Sequence, residues 1–465
     1  MIERSRYIKF NWLSNDERLC ARVDELSQEL LGGLLRNRKR DLTSAFNTIL
    51  TSIDVLGGFD GWWIRIPTNN NLFTGKTRRN ASYTTDVLYC LDWLIKNHYL
   101  AKVDGLRAPR TKSHKTYFLP NAYVVAPKIS EVSLVDPATV YRNPLASYIE
   151  VRDNINGVKR QVAIDPLEET KYGTMLANVS KLLPEYDQLM RNTDIAIGTS
   201  KLNSNLFSMT RIFSRGSLTH GGRYYSPMQN MRSNARQYLR FNGDPTVEID
   251  FSAIHPTMLY QCVNQELIND PYTIEEWERS DVKVAFNIML NRDGGDRKSS
   301  AANAIAQHLE VSRDKAKELE QTILKHHQPI AEFFNTGVGL ELQWLDSRII
   351  TYILQHFVRV IQRPIFTVHD SAVVSVRDTE TLRLAMEAGY EEVMSNDLPS
   401  VQTFIRAIKV ESLPFTDELD ALIVQSLDGS LEQYDESYWS NCIDKNMFKE
   451  CPKELLSTKY SDEAQ

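Results

Sequence analysis

Two acidic residues stand where short β-type runs meet turns. Asp250 lies near the end of the run 247–251, and Asp370 ends the run 366–370. Carboxylates delivered by two strand ends can hold a pair of Mg²⁺ ions about 3.5–4 Å apart, the arrangement that stabilises the attacking and leaving oxygens in nucleotidyl transfer. The alternative is that both acids are ordinary strand-end residues. The segments that accompany them favour the metal-binding interpretation.

The segment between the two acids contains a predicted helix with a polar face. Polar side chains recur on it at every fourth position: Arg279, Lys283, Asn287 and Asn291. Residues at this spacing share one side of a helix. An Arg and a Lys one turn apart suit a triphosphate, because Arg forms two parallel hydrogen bonds to phosphate oxygens and Lys acts as a point charge. The alternative is an exposed helix with a basic face. Further along, Ser312 is a predicted N-cap.

A third segment, 219–226, combines glycines, Arg223 and two tyrosines. Further polar residues follow it: Gln229, Arg232, Arg236 and Arg240. Glycines beside arginine and aromatic residues allow a sugar-phosphate backbone to approach closely. We therefore expect this segment to contact nucleic acid. The alternative is a structural hairpin with surface arginines.

Residues 1–125 are predicted to form a helical and winged helix-turn-helix-like DNA-binding domain. Residues 1–40 have a helical pattern, helices are predicted over 42–56 and from Val87 onward, and strands at 99–103 and 116–119 would form the wing. The wing region has one acid and six basic residues: Lys102, Arg107, Arg110, Lys112, Lys115 and Lys128. A basic wing suits phosphate contact. A protein-binding or purely structural winged helix is the alternative.

Composition and charge are those of a globular protein with an acidic end. The 465 residues carry a net charge of −6, but residues 411–465 contain 13 acidic and 4 basic residues, which leaves 50 basic and 47 acidic residues in the rest. The five cysteines show no CxxC spacing, which argues against a zinc site or a disulfide framework. No apolar run is long enough to span a membrane, and the first residues lack an apolar signal-peptide core. We expect a cytoplasmic location in a bacterial or phage-infected cell.

The rest of the chain is predicted to divide into three parts. Residues 126–215 would be a linker and a small helical, reduced thumb-like region, with a helix near 168–190. Residues 216–410 would form an α/β body that carries the chemistry. Residues 411–465 would be an acidic appendage.

The order of these segments resembles the palm and fingers of family A DNA polymerases, the DNA polymerase I family, and of the related single-subunit, phage-type RNA polymerases. Residues 219–230 (THGGRYYSPMQN) resemble the TGR…LQN segment of the family, and 250–254 (DFSAI) are similar to its motif A. The Arg279 and Lys283 pair matches the start of motif B, and 368–371 (VHDS) resemble motif C. The similarity covers residues 217–413.

This resemblance implies an α/β (α+β) fold, with a right-hand polymerase palm and fingers, the fingers at about 265–340, and an N-terminal winged-helix-like domain. It implies that Asp250, Asp370 and the carbonyl of Phe251 bind two Mg²⁺ ions, for which Mn²⁺ could substitute. Arg279 and Lys283 would hold the triphosphate, and Lys283 would protonate the leaving group.

The resemblance also implies contacts with DNA and with the incoming nucleotide. His369 would support the primer end, and Arg223 and Gln343 would contact the template-primer backbone or minor groove. Three residues would face the incoming sugar and base: His255, Asn287 and Asn291.

Four residues depart from the family pattern. Ser371 follows the motif C acid as in the RNA polymerase branch, whereas the DNA branch usually has Glu. His255 replaces the motif A Glu that crowds the sugar 2′ position, and Asn287 and Asn291 replace aromatic residues. The choice between DNA and RNA synthesis therefore stays open. The sequence upstream of this region contains no cluster of acidic residues of the kind that would form a proofreading exonuclease site.

We therefore predict a template-dependent nucleotidyltransferase, foremost a compact DNA polymerase that replicates a phage or mobile element. Its expected partners are a DNA template-primer, nucleoside triphosphates, and a replication protein such as a helicase or small accessory subunit. Three alternatives remain: an RNA polymerase or primase-polymerase, a catalytically inactive DNA-binding replication protein, and a nuclease in which Glu248 joins the two acids.

Overall fold

The structure is a computed structural model of the chain. It describes residues 5–7, 11–32, 41–55, 63–65, 84–103, 122–125, 139–155, 158–198, 200–229, 231, 236–293, 300–394 and 403–406. The predicted acidic appendage, 411–465, lies outside these residues. No helix in the described ranges combines the length and apolar character needed to cross a bilayer.

The described residues form a mixed α/β fold. The strands are β1 (Ser5–Tyr7), β2 (Trp12–Ser14), β3 (Trp63–Arg65), β4 (Leu100–Val103), β5 (Ala122–Val125), β6 (Val140–Arg142), β7 (Ile149–Ile155), β8 (Val158–Val162), β9 (Ile195–Ile197), β10 (Ser200–Lys201), β11 (Thr210–Phe213), β12 (Gly221–Tyr225), β13 (Leu239–Phe241), β14 (Asp244–Phe251), β15 (Ile365–Val368), β16 (Ser371–Ser375) and β17 (Thr403–Arg406). The α-helices are α1 (Glu17–Gly32), α2 (Leu42–Val55), α3 (Thr85–Lys96), α4 (Pro166–Lys171), α5 (Gly173–Arg191), α6 (Ile254–Cys262), α7 (Arg279–Asn291), α8 (Ala302–Leu309), α9 (Arg313–His326), α10 (Gly339–Gln355) and α11 (Thr379–Met394).

The N-terminal part packs α1, α2 and α3 together beside a four-stranded sheet of order β1-β3-β5-β4. Helix α3 begins where the Thr84 hydroxyl accepts the N–H of Val87, and it buries Val87, Leu91 and Leu94 as its spacing predicts. The helical prediction for residues 1–40 is wrong at its start, because β1 and β2 precede α1. The strand predicted at 116–119 lies outside the described residues; β5 is the antiparallel partner of β4.

Residues 139–215 contain more strand than the sequence pattern indicated. The predicted helix near 168–190 is present as α4 and α5. Strands β7 and β8 form a sheet with β11 and β12, and β9 joins β13 in the main sheet of the body. Helix α5 buries Leu182, Leu183 and Tyr186 against the rest of the fold. Backbone hydrogen bonds therefore connect this region with the body on two sheets.

The body is built on a sheet of order β10-β9-β13-β14-β16-β15, with β17 also paired to β14. Strand β14 lies inside this sheet, so Val247 and Ile249 are almost fully buried. Helix α10 packs against β12 and α11 and contacts α5, α6 and α7. Its apolar face carries Leu342, Ile349 and Ile353, all fully buried. Helix α10 is therefore surrounded by other elements of the body.

The predicted finger region is helical. Helix α7 spans the residues that the polar periodicity indicated, and it packs on α8 and α9. Helix α9 begins as predicted, with the Ser312 hydroxyl accepting the N–H of Lys315 at 3.2 Å. Phe286 of α7 is fully buried and makes edge contacts with Tyr272 and Phe334. These contacts fix the helix that carries Arg279 and Lys283.

Candidate active site

The structure brings Asp250 and Asp370 together at one edge of the main sheet. Strands β14 and β16 are antiparallel, with Asp250 opposite Ser371, and Asp370 is the residue before Ser371. Given the usual spacing of opposed residues, the Cα atoms of the two aspartates are roughly 6 Å apart. This register places the two acids at neighbouring positions of the same sheet edge. The strand–turn positions predicted for both acids are those the structure has.

Asp370 lies in a two-residue turn between β15 and β16, in which Val368 pairs with Ser371. His369, the first residue of the turn, has a φ of +57°, a left-handed conformation that favours glycine. A histidine held in this conformation stores backbone strain that the surrounding packing must oppose. Strands β15 and β16 supply that packing, because every residue of both is buried.

Glu248, considered as a third acid for the site, is already neutralised. Arg236 donates to it from Nε at 3.1 Å and from Nη2 at 2.8 and 2.9 Å, and the Ser371 hydroxyl donates to its Oε1 at 2.7 Å. The carboxylate is 6 % exposed. A buried acid with three donors is a structural ion pair. Arg236, predicted to contact nucleic acid, is therefore engaged inside the protein.

Asp346 on α10 is a site residue that the sequence analysis missed. Its side chain is fully buried, and its carboxylate accepts hydrogen bonds from Arg223 Nε at 3.1 Å and from His255 Nε2 at 2.8 Å. Although burial acts in the opposite direction, the charge of Arg223 lowers the pKa of Asp346 below its usual value. One signal was available: Asp346 follows Leu342 by one turn on the apolar face of α10.

Arg223 lies between two carboxylates. Besides Asp346, its Nη2 is 3.9 Å from Oδ1 of Asp370. Only 13 % of its side chain is exposed. Against the effect of burial, the charges of Asp346 and Asp370 raise the pKa of Arg223. Arg223, which was predicted to contact the template-primer, is therefore mostly buried and forms an ion pair with Asp346.

His255 and Gln343 lie beside this network. His255 is in the first turn of α6, immediately after the strand that carries Asp250, and its Nε2–H is directed to Asp346. Gln343 is half-buried on α10, three residues before Asp346. Through this hydrogen bond, His255 connects the start of α6, which follows β14, with α10.

His369 is held by Gln229. The amide nitrogen of Gln229 donates to His369 Nδ1 at 3.1 Å. Burial of the ring, followed by the positive charge of Arg223, lowers the pKa of His369 to about 4. The imidazole is therefore neutral at pH 7, and its contact with Gln229 holds the ring beside Asp370 in the turn.

Two cations of the finger helix share one aromatic ring. The guanidinium of Arg279 lies 5.4 Å and the ammonium of Lys283 lies 5.8 Å from the ring centre of Tyr272. Burial, followed by the charge of Asp370, raises the pKa of Tyr272. Both cations are exposed, as a phosphate site requires.

The polar face of α7 is not uniform. Arg279 forms a bidentate ion pair with Asp270, and Asn287 is half-buried. Asn291 donates to the carbonyl of Asn287 at 2.9 Å, and its amide oxygen fills the space where a Cβ at Gly339 would lie, at 2.3 Å. The amide of Asn291 is therefore packed against the start of α10, and its contact with the nucleotide stays a prediction.

Several predicted nucleic-acid contacts lie outside the described residues: Arg232, Arg107, Arg110, Lys112 and Lys115. Phe251, whose carbonyl was predicted as a metal ligand, ends β14 with a buried side chain. Within the described residues there is no group of three or more His, Cys, Asp or Glu side chains that could hold a metal. The donors that fit Mg²⁺ are two carboxylates and a backbone oxygen, all hard ligands.

Comparisons with known proteins give a remote structural similarity. No protein-family model matches the chain, and no curated protein matches it in sequence. Among solved structures, the POL domain of Pol1 from M. smegmatis, in complex with DNA primer-template and dNTP, aligns with a TM-score of 0.32 and 14 % identity. The alignment covers 52 % of this chain and 52 % of that chain.

Proposed function

We propose that this protein is a template-dependent nucleotidyltransferase, and specifically a compact family A-like DNA polymerase without a proofreading exonuclease. One observation carries the proposal: Asp250 and Asp370 lie at the same edge of two hydrogen-bonded strands. The exposed cations Arg279 and Lys283 lie over the ring of Tyr272, whose pKa is raised by burial and by the charge of Asp370. A carboxylate pair facing two cations is the charge arrangement required by a metal-bound triphosphate.

The chemistry is divided among the residues as follows. Asp250, Asp370 and the carbonyl of Phe251 would hold Mg²⁺ or Mn²⁺, which supplies charge neutralisation at the attacking and leaving oxygens when bound. Arg279 and Lys283 bind the triphosphate, and the Lys283 ammonium donates a proton to the departing pyrophosphate. Neutral His369 supports the primer end.

The surroundings of the site suggest how the nucleotide is selected. His255 follows the metal strand, and its Nε2 is held by Asp346. An imidazole fixed in this position faces the sugar of a nucleotide bound to Asp250, whereas Asn287 is left to contact the base. Gln343 is proposed to contact the template-primer. These assignments make His255 the first residue to test as a sugar selector.

The N-terminal part is proposed to bind DNA. Three packed helices, α1–α3, precede the antiparallel pair β4 and β5, an arrangement compatible with a winged helix. The basic residues between those strands would contact phosphates. A helicase or small accessory subunit remains the proposed protein partner, in a cytoplasmic replication complex.

Primer extension tests the proposed function. A labelled primer-template is incubated with Mg²⁺ and either dNTPs or rNTPs, using the wild type, Asp250→Ala and Asp370→Ala. We expect extension with dNTPs by the wild type only, and unchanged DNA affinity in both variants, because neither aspartate contributes positive charge to DNA binding. Wild-type-like extension by either variant would refute the assignment of the carboxylates.

RNA synthesis, including primer synthesis, is the second candidate. The observation that favours it is Ser371, which occupies the place of the DNA-branch Glu and donates to Glu248. Extension with rNTPs, or synthesis without a primer, would establish this candidate. No incorporation with either nucleotide set would favour a catalytically inactive DNA-binding protein, and strand degradation with Mg²⁺ alone would favour a nuclease.

A further inference from the structure

The guanidinium of Arg223 lies between the carboxylates of Asp346 and Asp370. Arg223 donates from Nε to both oxygens of Asp346 at 3.1 Å, and its Nη2 lies 3.9 Å from Asp370. Asp346 accepts hydrogen bonds from Arg223 and His255. Arg223 in turn lies within range of two carboxylates, those of Asp346 and Asp370. The position of the guanidinium is therefore decided by the competition between these carboxylates.

The competition affects the metal-binding acid. A cation that pairs closely with Asp370 occupies the carboxylate that a divalent ion would need, and it repels that ion. Asp346 is fully buried and has no water to stabilise its charge, so it binds Arg223 strongly. The guanidinium of Arg223 is therefore held next to α10. It lies closer to the Asp346 oxygens, at 3.1 Å from Nε, than to Asp370, at 3.9 Å from Nη2.

We propose that Asp346 is a positioning residue that keeps Arg223 from neutralising Asp370 and thereby sets the affinity of the site for divalent metal. The inference rests on the proposed function of Asp250 and Asp370. It gives Arg223 a role in metal binding, whereas the sequence analysis expected a contact with the template-primer. Loss of the Asp346 charge leaves Asp370 as the nearest carboxylate for Arg223.

The test measures binding of Mn²⁺ alone to the full chain, without nucleotide or DNA, from the electron paramagnetic resonance signal of the free ion. We expect Asp346→Asn to weaken binding roughly tenfold, equal to about 1.4 kcal/mol. The double variant Arg223→Gln, Asp346→Asn should bind Mn²⁺ at least as tightly as the wild type, because the competing cation is gone. A merely structural ion pair would lower thermal stability in the single variant and leave Mn²⁺ affinity unchanged.

Glu341→Gln is the matched control. Glu341 is a buried acid on the same helix, and the histidine nearest to it is His220, with Nε2 at 4.0 Å. This variant should lose stability and keep Mn²⁺ affinity. If Asp346→Asn does not fold, Arg223→Gln and the double variant decide the question. Both should bind Mn²⁺ more tightly than the wild type and equally to each other, because Asp346 acts only through Arg223.

Three outcomes would overturn the role of Asp346: unchanged affinity in folded Asp346→Asn, no recovery in the double variant, or weaker binding by Arg223→Gln. Failure of the proposed function has a different signature. In that case the wild type and Asp370→Ala would bind Mn²⁺ equally, whatever the state of Asp346.

Discussion

The ion pair between Arg279 and Asp270 provides a sharp test of the proposed triphosphate site. Asp270 accepts from Nε and Nη2 of Arg279, the edge that would form two parallel hydrogen bonds to a phosphate. The hydrogen bond from Arg279 lowers the pKa of Asp270, although partial burial opposes this effect. A bound triphosphate must therefore compete with Asp270 for the guanidinium.

The expected change in nucleotide KM follows from how far the Arg279–Asp270 ion pair is exposed to solvent. The side chains of Arg279 and Asp270 are 57 % and 34 % exposed, so solvent and salt screen their attraction. Exposed pairs of this kind contribute about 0.2–1 kcal/mol. Asp270→Asn should therefore lower the nucleotide KM by roughly 1.4-fold to fivefold with kcat unchanged. The effect should shrink as ionic strength rises.

Steady-state primer extension at two salt concentrations measures this change, and Arg279→Ala is the reference. The Ala variant should raise KM, and adding Asp270→Asn to it should have no further effect, because the shared partner is absent. A rise in KM for Asp270→Asn alone would refute the competition. It would mean that Asp270 orients Arg279 for the phosphate.

Two further predictions concern buried charges. Arg236→Ala should lower the free energy of unfolding by about 3 kcal/mol, because it leaves Glu248 buried and unpaired. Arg240→Ala should change it by about 0.5 kcal/mol or less, because Arg240 donates to the carbonyl of Gly243 at the surface. Urea denaturation checks both values, and weaker DNA binding with full stability in Arg236→Ala would instead make Arg236 a DNA contact. Burial lowers the pKa of His327 from 6.5 to about 4, so its neutral ring stabilises the fold above pH 6.5 and that stability is lost as the pH falls toward 4. Between pH 7 and pH 5 the wild type should lose about 2 kcal/mol more than His327→Gln in urea denaturation, and equal losses would contradict the assignment.

Local patterns predicted the elements that carry the site. The four-residue spacing from Arg279 predicted α7 with its observed ends, and the predicted N-cap Ser312 begins α9. Such predictions succeed because helix periodicity and capping depend on residues a few positions apart. The strands in residues 5–14 and 149–162 were missed, since their pairing depends on distant partners.

The sequence alone determined which residue types stand at the strand ends, and so the chemistry open to Asp250 and Asp370. The tertiary structure decided which charges act on them. Arg223 and Arg236 have the same sequence signature, a basic residue near glycines and aromatics, yet each is committed to a buried acid. Arg223 meets Asp346 across 123 positions of chain. A buried ion pair forms where the fold brings a donor and a carboxylate into a geometry good enough to offset the cost of removing both charges from water. No local sequence pattern predicts such a contact between distant residues.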